Sequence, residues 1–427
     1  MMEPSALVEE AREALGADRV VAGAAADAVA GVVPRLVGHP RDADDVCRLL
    51  AWADARRLAV VPTGGTTKVG WGSPPRIIDV ALSTRRLTAV IEHRHEDLTA
   101  TVQAGATLEA VNDALGARGQ WLPCDPCWPD LATIGGVLAT NDSGPRRHRH
   151  GAPRDLLIGI TFVTPDGTLA RAGGRVVKNV AGYDIGKLLV GSHGSLAVIV
   201  DATFKLQPRS PDSRTVEVGG VSAEALTGLA RAVSSTEMVP SAVEITWPPA
   251  RALVRFESVE PAVVRQAESA YAIARGLGAT ARILDAGEEA ACWREHATRP
   301  WSGDAAVVGL GLPASQVGGE LDWLGRVAEA RGVAVAVAGR LAMGSLRVSL
   351  DGSSGAQVAI LRDLRDRRLE RGGHVLVLRA SDDLRRAVDP WGPLGDAAPI
   401  MRAVKARFDP NGVLSPGRWP GAEEAHG

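Results

Sequence analysis

Two glycine pairs carry the densest chemical signal in this chain, Gly64-Gly65 and Gly135-Gly136. Thr63, Thr66 and Thr67 surround the first pair. Thr133 and Thr140 surround the second, with Asn141, Ser143 and Gly144 just beyond. Glycine lets a backbone approach a ligand closely and aim several N–H groups at one anion. Threonine, serine and asparagine add neutral donors. Such a set can hold a pyrophosphate without a dense cluster of positive charge. Further glycines, among them Gly173-Gly174, Gly191 and Gly194, repeat the pattern at the ends of apolar runs.

Other residues have chemical potential but weaker patterns. Arg146-Arg147-His148-Arg149-His150 is the densest positive run. It reads equally as a contact for phosphate or an acidic substrate and as a solvated loop face. Cys124 and Cys127 form a single C-x-x-C, whereas structural zinc needs four ligands. Pro126 and Pro129 make this a rigid loop with two reduced thiols, so no metal site is expected. The run GLGLPA (309–314) imitates a dinucleotide fingerprint, but the following strand lacks the acidic residue such a site needs. It reads as a strand and turn. Arg294, Arg299 and Arg340 could each pair with a substrate carboxylate.

The elements that must position these groups follow from patterning. RLAVVP (57–62) and RIIDV (76–80) read as buried strands, and TATVQ (99–103) as a half-buried strand of period two. Thr107 caps a helix reaching Leu115. Residues 157–164 form a strand that turns at Pro165-Asp166-Gly167. Beyond a QPRSPDS linker (207–213), strands at 242–247 and 252–257 flank a Pro-Pro turn. Helices fit 261–276, 315–331 and 356–371. Adjacent strands with short turns imply an antiparallel sheet with helices on one side, so the class is α+β. The expected domains are 1–208, 209–398 and a tail, 399–427.

The chain has 427 residues, 45% hydrophobic and 23% charged, with a net charge of −2. That length suits two or three domains of ~150 residues. The charge balance argues against a dedicated nucleic-acid binder. No apolar run approaches the ~20 residues of a membrane helix. The first residues read as an amphipathic helix, and four cysteines are too sparse for a disulfide scaffold. A cytoplasmic location is expected, with membrane association only peripheral and through partners.

Four segments resemble the FAD-linked oxidases of the vanillyl-alcohol oxidase or PCMH-type family: VPTGGTTK (61–68), LATIGGVLATNDSG (131–144), GRVVKNVAGYDIGKLLVGSHGSLAVI (174–199) and FDPNGVLSPGR (408–418). Within that family the chain is most similar to the FAD-binding subunit of bacterial glycolate oxidase, over roughly residues 36–420. The resemblance implies two α+β flavin subdomains plus an α+β cap. FAD would meet Pro62, Thr63, Gly64, Gly65, Thr66 and Thr67 at its pyrophosphate. Thr133, Ile134, Gly135, Gly136, Asn141, Ser143 and Gly144 would line the other side. Lys178, Asn179 and Tyr183 would sit close to the cofactor, Gly191, Gly194 and Ile199 near its adenine end, and Arg418 near its ring.

Relatives that bind FAD covalently use a histidine where this chain has Thr66, so non-covalent FAD is expected. Hydroxy-acid oxidising relatives carry H-G-D-G-N-x-H in the cap. This chain lacks it, and His296, His374 and His426 are isolated in sequence. The implied activity is two-electron oxidation of a 2-hydroxy acid, glycolate to glyoxylate, with hydride passing to the flavin. Implied partners are a second flavoprotein subunit and an iron–sulfur subunit. An electron-relay subunit and a stand-alone oxidase of another alcohol or sugar remain open.

Overall fold

The structure, a computed structural model, describes residues 4–174 and 183–420. Lys178 and Asn179 lie outside the described residues. The chain forms two compact units. One comprises Met1–Ser143, Ala152–Arg209 and Pro393–Gly427; the other comprises Gly144–Gly151 and Ser210–Gly392. Eight residues inside the first stretch of sequence, Gly144–Gly151, thus fold with the second unit.

The first unit holds two main sheets. The smaller has the order Val20–Ala22, Leu36–Gly38, Val80–Ser83, Val60–Thr63. Its last three strands are parallel. The helix Ala43–Ala55 makes the crossover from Leu36–Gly38 to Val60–Thr63, the two strands that flank Val80–Ser83, and it is started by Asp42, whose carboxylate accepts from Asp45 N. The apolar face of that helix, with Val46, Leu49 and Leu50, packs against Leu7, Ala11 and Leu15 of the N-terminal helix Pro4–Leu15. Burying each such leucine stabilises by about 1.5–3 kcal/mol.

The strand expected at 76–80 is displaced: the regular strand is Val80–Ser83. Residues 76–79 are engaged elsewhere. Arg76 N donates to Pro416 O, and the Asp79 carboxylate accepts from Ala59 N and Arg35.

The larger sheet is antiparallel throughout, ordered Val90–Arg94, Thr99–Gln103, Val198–Lys205, Leu157–Val163, Leu169–Gly173. Thr99–Gln103 forms as its alternation predicts. Thr107 caps the helix Leu108–Gly116 by accepting from Ala110 N. At the predicted turn, Asp166 accepts from Thr168 N, and Gly167 takes φ 84°.

The second unit is built on one eight-stranded antiparallel sheet. Alternate residues such as Val216, Val254, Ile245, Val337 and Val348 share one core with four helices: Ala223–Ser234, Glu260–Gly276, Val317–Ala330 and Ser354–Arg371. The helices cover that face, as patterning predicts. GLGLPA begins inside the strand Ala306–Gly311, hydrogen-bonded on both sides, so it is a strand and turn. The opposite sheet face is rich in charge, with Glu217, Glu244, Arg251, Arg255, Glu257 and Arg340. The helix Ala286–Thr298 covers part of it through Cys292.

Candidate functional site

The first unit contains a cleft partly open to solvent. Its floor is the loop that leaves Val60–Thr63. Residues 62–69 line it, together with Thr84, Thr133, Gly135, Gly136, Ala139, Thr140, Ser192, His193, Gly194, Ile199 and Arg418. Two glycine pairs 71 residues apart in sequence therefore share one cavity. A direct bond joins them, since Gly65 N donates to Thr133 Oγ1 at 3.4 Å. Thr84 Oγ1 donates to Thr63 O and Arg85 Nε to Gly64 O, pinning the loop from outside.

The glycine at 65 is required by packing within the protein. A Cβ there would sit 1.6 Å from Leu131 O, inside the neighbouring cavity segment. Thr66 beside it adopts φ 60°. That is an outlier for a β-branched side chain and marks a loop held by its surroundings. Lys68 closes the loop, with Nζ donating to Thr67 Oγ1 at 2.9 Å and pairing with Asp142 at 3.3 Å. Both charges are buried.

Arg418 returns from the tail into this cleft. It is buried, and its Nη2 donates to Val69 O and Trp71 O. His193 lines the cleft at φ 53°, held by a backbone bond to Ala139 O. Burial, and then the charge of Arg418, push its imidazole down to about 3, so it is neutral at physiological pH. The unfolded chain protonates this histidine at ~6.5. Stability is therefore lost as pH falls from that value toward the folded one. At about pH 5 the loss is about 2 kcal/mol. Melting curves of His193→Gln between about pH 4 and 7 should be flatter than those of the parent; parallel curves would refute this.

The cleft collects most of the residues expected around a cofactor, but not all. Ile134 is in the core. Asn141 ends the short helix Ile134–Thr140 at φ 49° and accepts from Arg154 N. Ser143 is buried, and the Gly191 amide bonds to Leu138 O; neither lines the cleft. Gly144 folds with the second unit, and Tyr183 is 93% exposed. Sequence reasoning missed Lys68, Thr84, Ser192 and His193 as cleft residues. Lys68 and the Ser192-His193 pair stood inside motifs already singled out, whereas Thr84 carried no local signal.

In the second unit the arginines differ sharply. Arg294 is exposed. Arg299 donates to Pro248 O and Glu295. Arg340 is buried, donating Nε to Gly144 O at 3.0 Å and Nη1 to Ser345 Oγ at 2.9 Å. Two residues of the basic run are engaged: Arg146 forks onto the Glu257 carboxylate and Arg149 donates to Glu257 O. Burial alone would raise the Glu257 carboxyl. Arg146 and Arg255 outweigh it and hold that group at about 2. Its contribution to stability is thus full above ~4.5 and fades as pH falls through the folded value. Arg146→Met should lower stability at neutral pH by less than about 3 kcal/mol, the cost of a fully unpaired buried charge, because Arg255 still faces Glu257. The loss should be smaller again near about pH 3, where the carboxyl protonates. An equal loss at both would contradict this pairing.

Among the described residues, no group of three or more His, Cys, Asp or Glu could hold a metal. No helix there is long and apolar enough to cross a membrane. None of the four cysteines is in a disulfide, and burial pushes the Cys124 thiol upward.

Residues 34–173 match the family model described as FAD binding domain. This chain carries an FAD-binding domain. Over 419 residues it is 25% identical to glycolate oxidase subunit GlcD of Bacillus subtilis (strain 168), covering 90% of this chain and 89% of that one. It is 36% identical to glycolate oxidase subunit GlcE of Escherichia coli (strain K12) over 154 residues, 36% of this chain and 43% of that one. The similarity thus spans nearly all of GlcD but less than half of GlcE. Its fold is similar to p-cresol methylhydroxylase with a TM-score of 0.78, at 15% identity, over 97% of this chain and 96% of that one. The fold is that of the PCMH-type FAD oxidases, and the chain is an FAD-binding oxidoreductase by relationship. The cleft suits this cofactor chemically: hydroxyls, turn amides and the buried cations Lys68 and Arg418 are what a pyrophosphate and a polyol chain require.

Proposed function

We propose that this chain is the FAD-binding subunit, of the GlcE kind, of a glycolate oxidase-like complex oxidising a 2-hydroxy acid such as glycolate to the 2-oxo acid. The similarity spanning nearly all of a glycolate oxidase subunit carries the complex and its reaction class. The first unit is the FAD domain, the second the cap and substrate domain, and the tail from about residue 399 returns to the FAD domain. FAD is held without a covalent bond. Thr66, at the attachment position, has no imidazole, and its hydroxyl donates to Gly65 O.

When bound, FAD supplies a two-electron acceptor for hydride. The chain's own residues bind and orient. The 63–67 loop, Thr133, Gly135 and Gly136 hold the pyrophosphate, Lys68 stands at the end of that loop, and Arg418 returns near the flavin ring. Neutral His193 offers a hydrogen bond without adding a further cation. Gly194 and Ile199 line the adenine end. The partners proposed are a second flavoprotein subunit and an iron–sulfur subunit, and the location is cytoplasmic.

The test is anaerobic titration of the purified, FAD-loaded chain with glycolate and D-lactate, following the visible flavin bands. Bleaching is expected. Bleaching only after a second subunit is added would favour the electron-relay role, and bleaching by polyols alone would favour a different oxidase.

A further inference from the structure

The first unit carries a buried ion pair at one wall of its cleft. Lys68 lines the cleft, whereas Asp142 does not. Lys68 Nζ lies 3.3 Å from Asp142 Oδ2, and the side chains are 5% and 1% exposed. The same ammonium donates to Thr67 Oγ1 at 2.9 Å. Both residues belong to the first unit. The residue that borders the ligand space is the cation, and its partner acid lies one step behind it. Desolvating such a pair is costly, and an apolar pair of similar volume is often as stable or more so. Stability of the fold alone therefore does not call for these two charges.

The acid is set against apolar surroundings. Asp142 follows the helix Ile134–Thr140, whose Ile134 and Leu138 share a core with Cys124. The Cys124 thiol is pushed up chiefly by burial, then by the charges of Asp125 and Asp142. The field of Asp142 thus reaches into that core. In a poorly polarisable interior a charge acts over several ångströms without contact. The other titratable groups that line the cleft are Arg418, a cation, and His193, which burial keeps neutral.

Reduction changes the charge of the cofactor this cleft suits. Hydride brings a proton and an electron pair to flavin N5, so a neutral oxidised ring becomes an anionic reduced one. A buried cation nearby favours that product, and a buried anion opposes it. We propose that the Lys68–Asp142 pair sets the reduction potential of the bound flavin, with Lys68 raising it and Asp142 holding it down. The inference rests on the FAD reading above and says what the pair does to that cofactor. It acts through the field, so neither side chain has to touch the ring. The balance between the two charges fixes how readily the flavin takes hydride and how readily it gives the electrons up.

The full FAD-loaded chain is the material for the test. Two readouts are independent of turnover: the midpoint potential, from reductive titration beside a reference dye, and the dissociation constant of sulfite. Sulfite bonds to flavin N5 through its sulfur lone pair, which leaves the ring with the extra negative charge that reduction gives it. Asp142→Asn should tighten sulfite binding about 10-fold. It should shift the reduction equilibrium by the same factor, which raises the potential of a two-electron couple by ~30 mV. Lys68→Met should move both readouts as far the other way. The double variant Lys68→Met/Asp142→Asn, neutral at both positions, should return close to the parent values, because charge and not local shape is what the readouts follow. Parent values in Asp142→Asn, or a double variant displaced as far as the single ones, would overturn the assignment. A changed FAD affinity with an unmoved potential would do the same and give the pair to the pyrophosphate. A parent chain that takes up no FAD defeats the FAD reading itself, whereas bound FAD whose potential ignores these substitutions defeats only this inference. Should Lys68→Met not fold with Asp142 left unpaired, Asp142→Asn and the double variant decide.

Discussion

A chain ending at Arg407 will lose its FAD and the melting transition of the first unit. Residues 408–418 add a partner to the strand beneath the cleft: Val60 N donates to Val413 O and Ser415 N to Val60 O, both at 2.8 Å. They also neutralise Lys405. Its buried ammonium donates to Asp409, Ser195 O and Leu414 O. Burial already lowers the proton affinity of that amine, and Asp409 counteracts the effect. Truncation removes the acid and leaves the amine. Breaking a buried pair costs about 3–5 kcal/mol, against a total domain stability of about 5–15 kcal/mol. Arg418, which reaches the cleft, is lost as well. Asp409→Asn is the milder form, because it keeps the shape but removes the charge and one of the acceptors used by Val413 N, Leu414 N and Lys405. It should lower stability by about 3 kcal/mol. Flavin per chain and thermal melts measure both. Full flavin content with an unchanged melt in the truncated chain would show that the tail has no such role.

Gly65→Val will abolish FAD retention while leaving the second unit folded. The new Cβ would overlap Leu131 O at 1.6 Å and its carbonyl carbon at 2.7 Å. Both are backbone atoms and cannot rotate away, so one of the two cleft segments must move. The geometry that joins Gly65 N to Thr133 is then lost. Gly136→Ala is the informative contrast. Its Cβ would meet only Thr133 Oγ1, at 3.3 Å. In a helix the change is worth about 0.5–1 kcal/mol to the FAD-free chain, provided the Thr133 hydroxyl gives by the few tenths of an ångström this contact demands. A drop in FAD affinity with a raised melting temperature would mean that the ligand, not the protein, needs the space at 136. Unchanged affinity in both variants would remove the glycine pairs from the cofactor site.

Much of this molecule is legible one segment at a time. The alternation of TATVQ, the cap at Thr107, the Asp166-Gly167 turn and the apolar spacing of 260–276 each depend on a few neighbouring residues. Local dihedral preference and burial determine them. The glycine–threonine loops are readable for the same reason, since their donors come from consecutive backbone amides and hydroxyls. The displaced strand at 76–80 shows where that logic stops. Its hydrogen bonds were claimed by Arg35, Ala59 and Pro416, which no local pattern could reveal.

The charged groups were decided by tertiary structure. Asp142 meets Lys68, Glu257 meets Arg146 across 111 residues, and Lys405 meets Ser195 across 210. His193 joins Arg418 in the cleft, and His296, isolated in sequence, finds Glu244 52 residues away. The sequence by itself determined which segments become strands, helices and close-approach loops, because those follow from short-range sterics and period. Which charges pair, and which imidazole stays neutral, depends on strand register and on how much water each pairing excludes. Both properties arise only once distant segments are packed together.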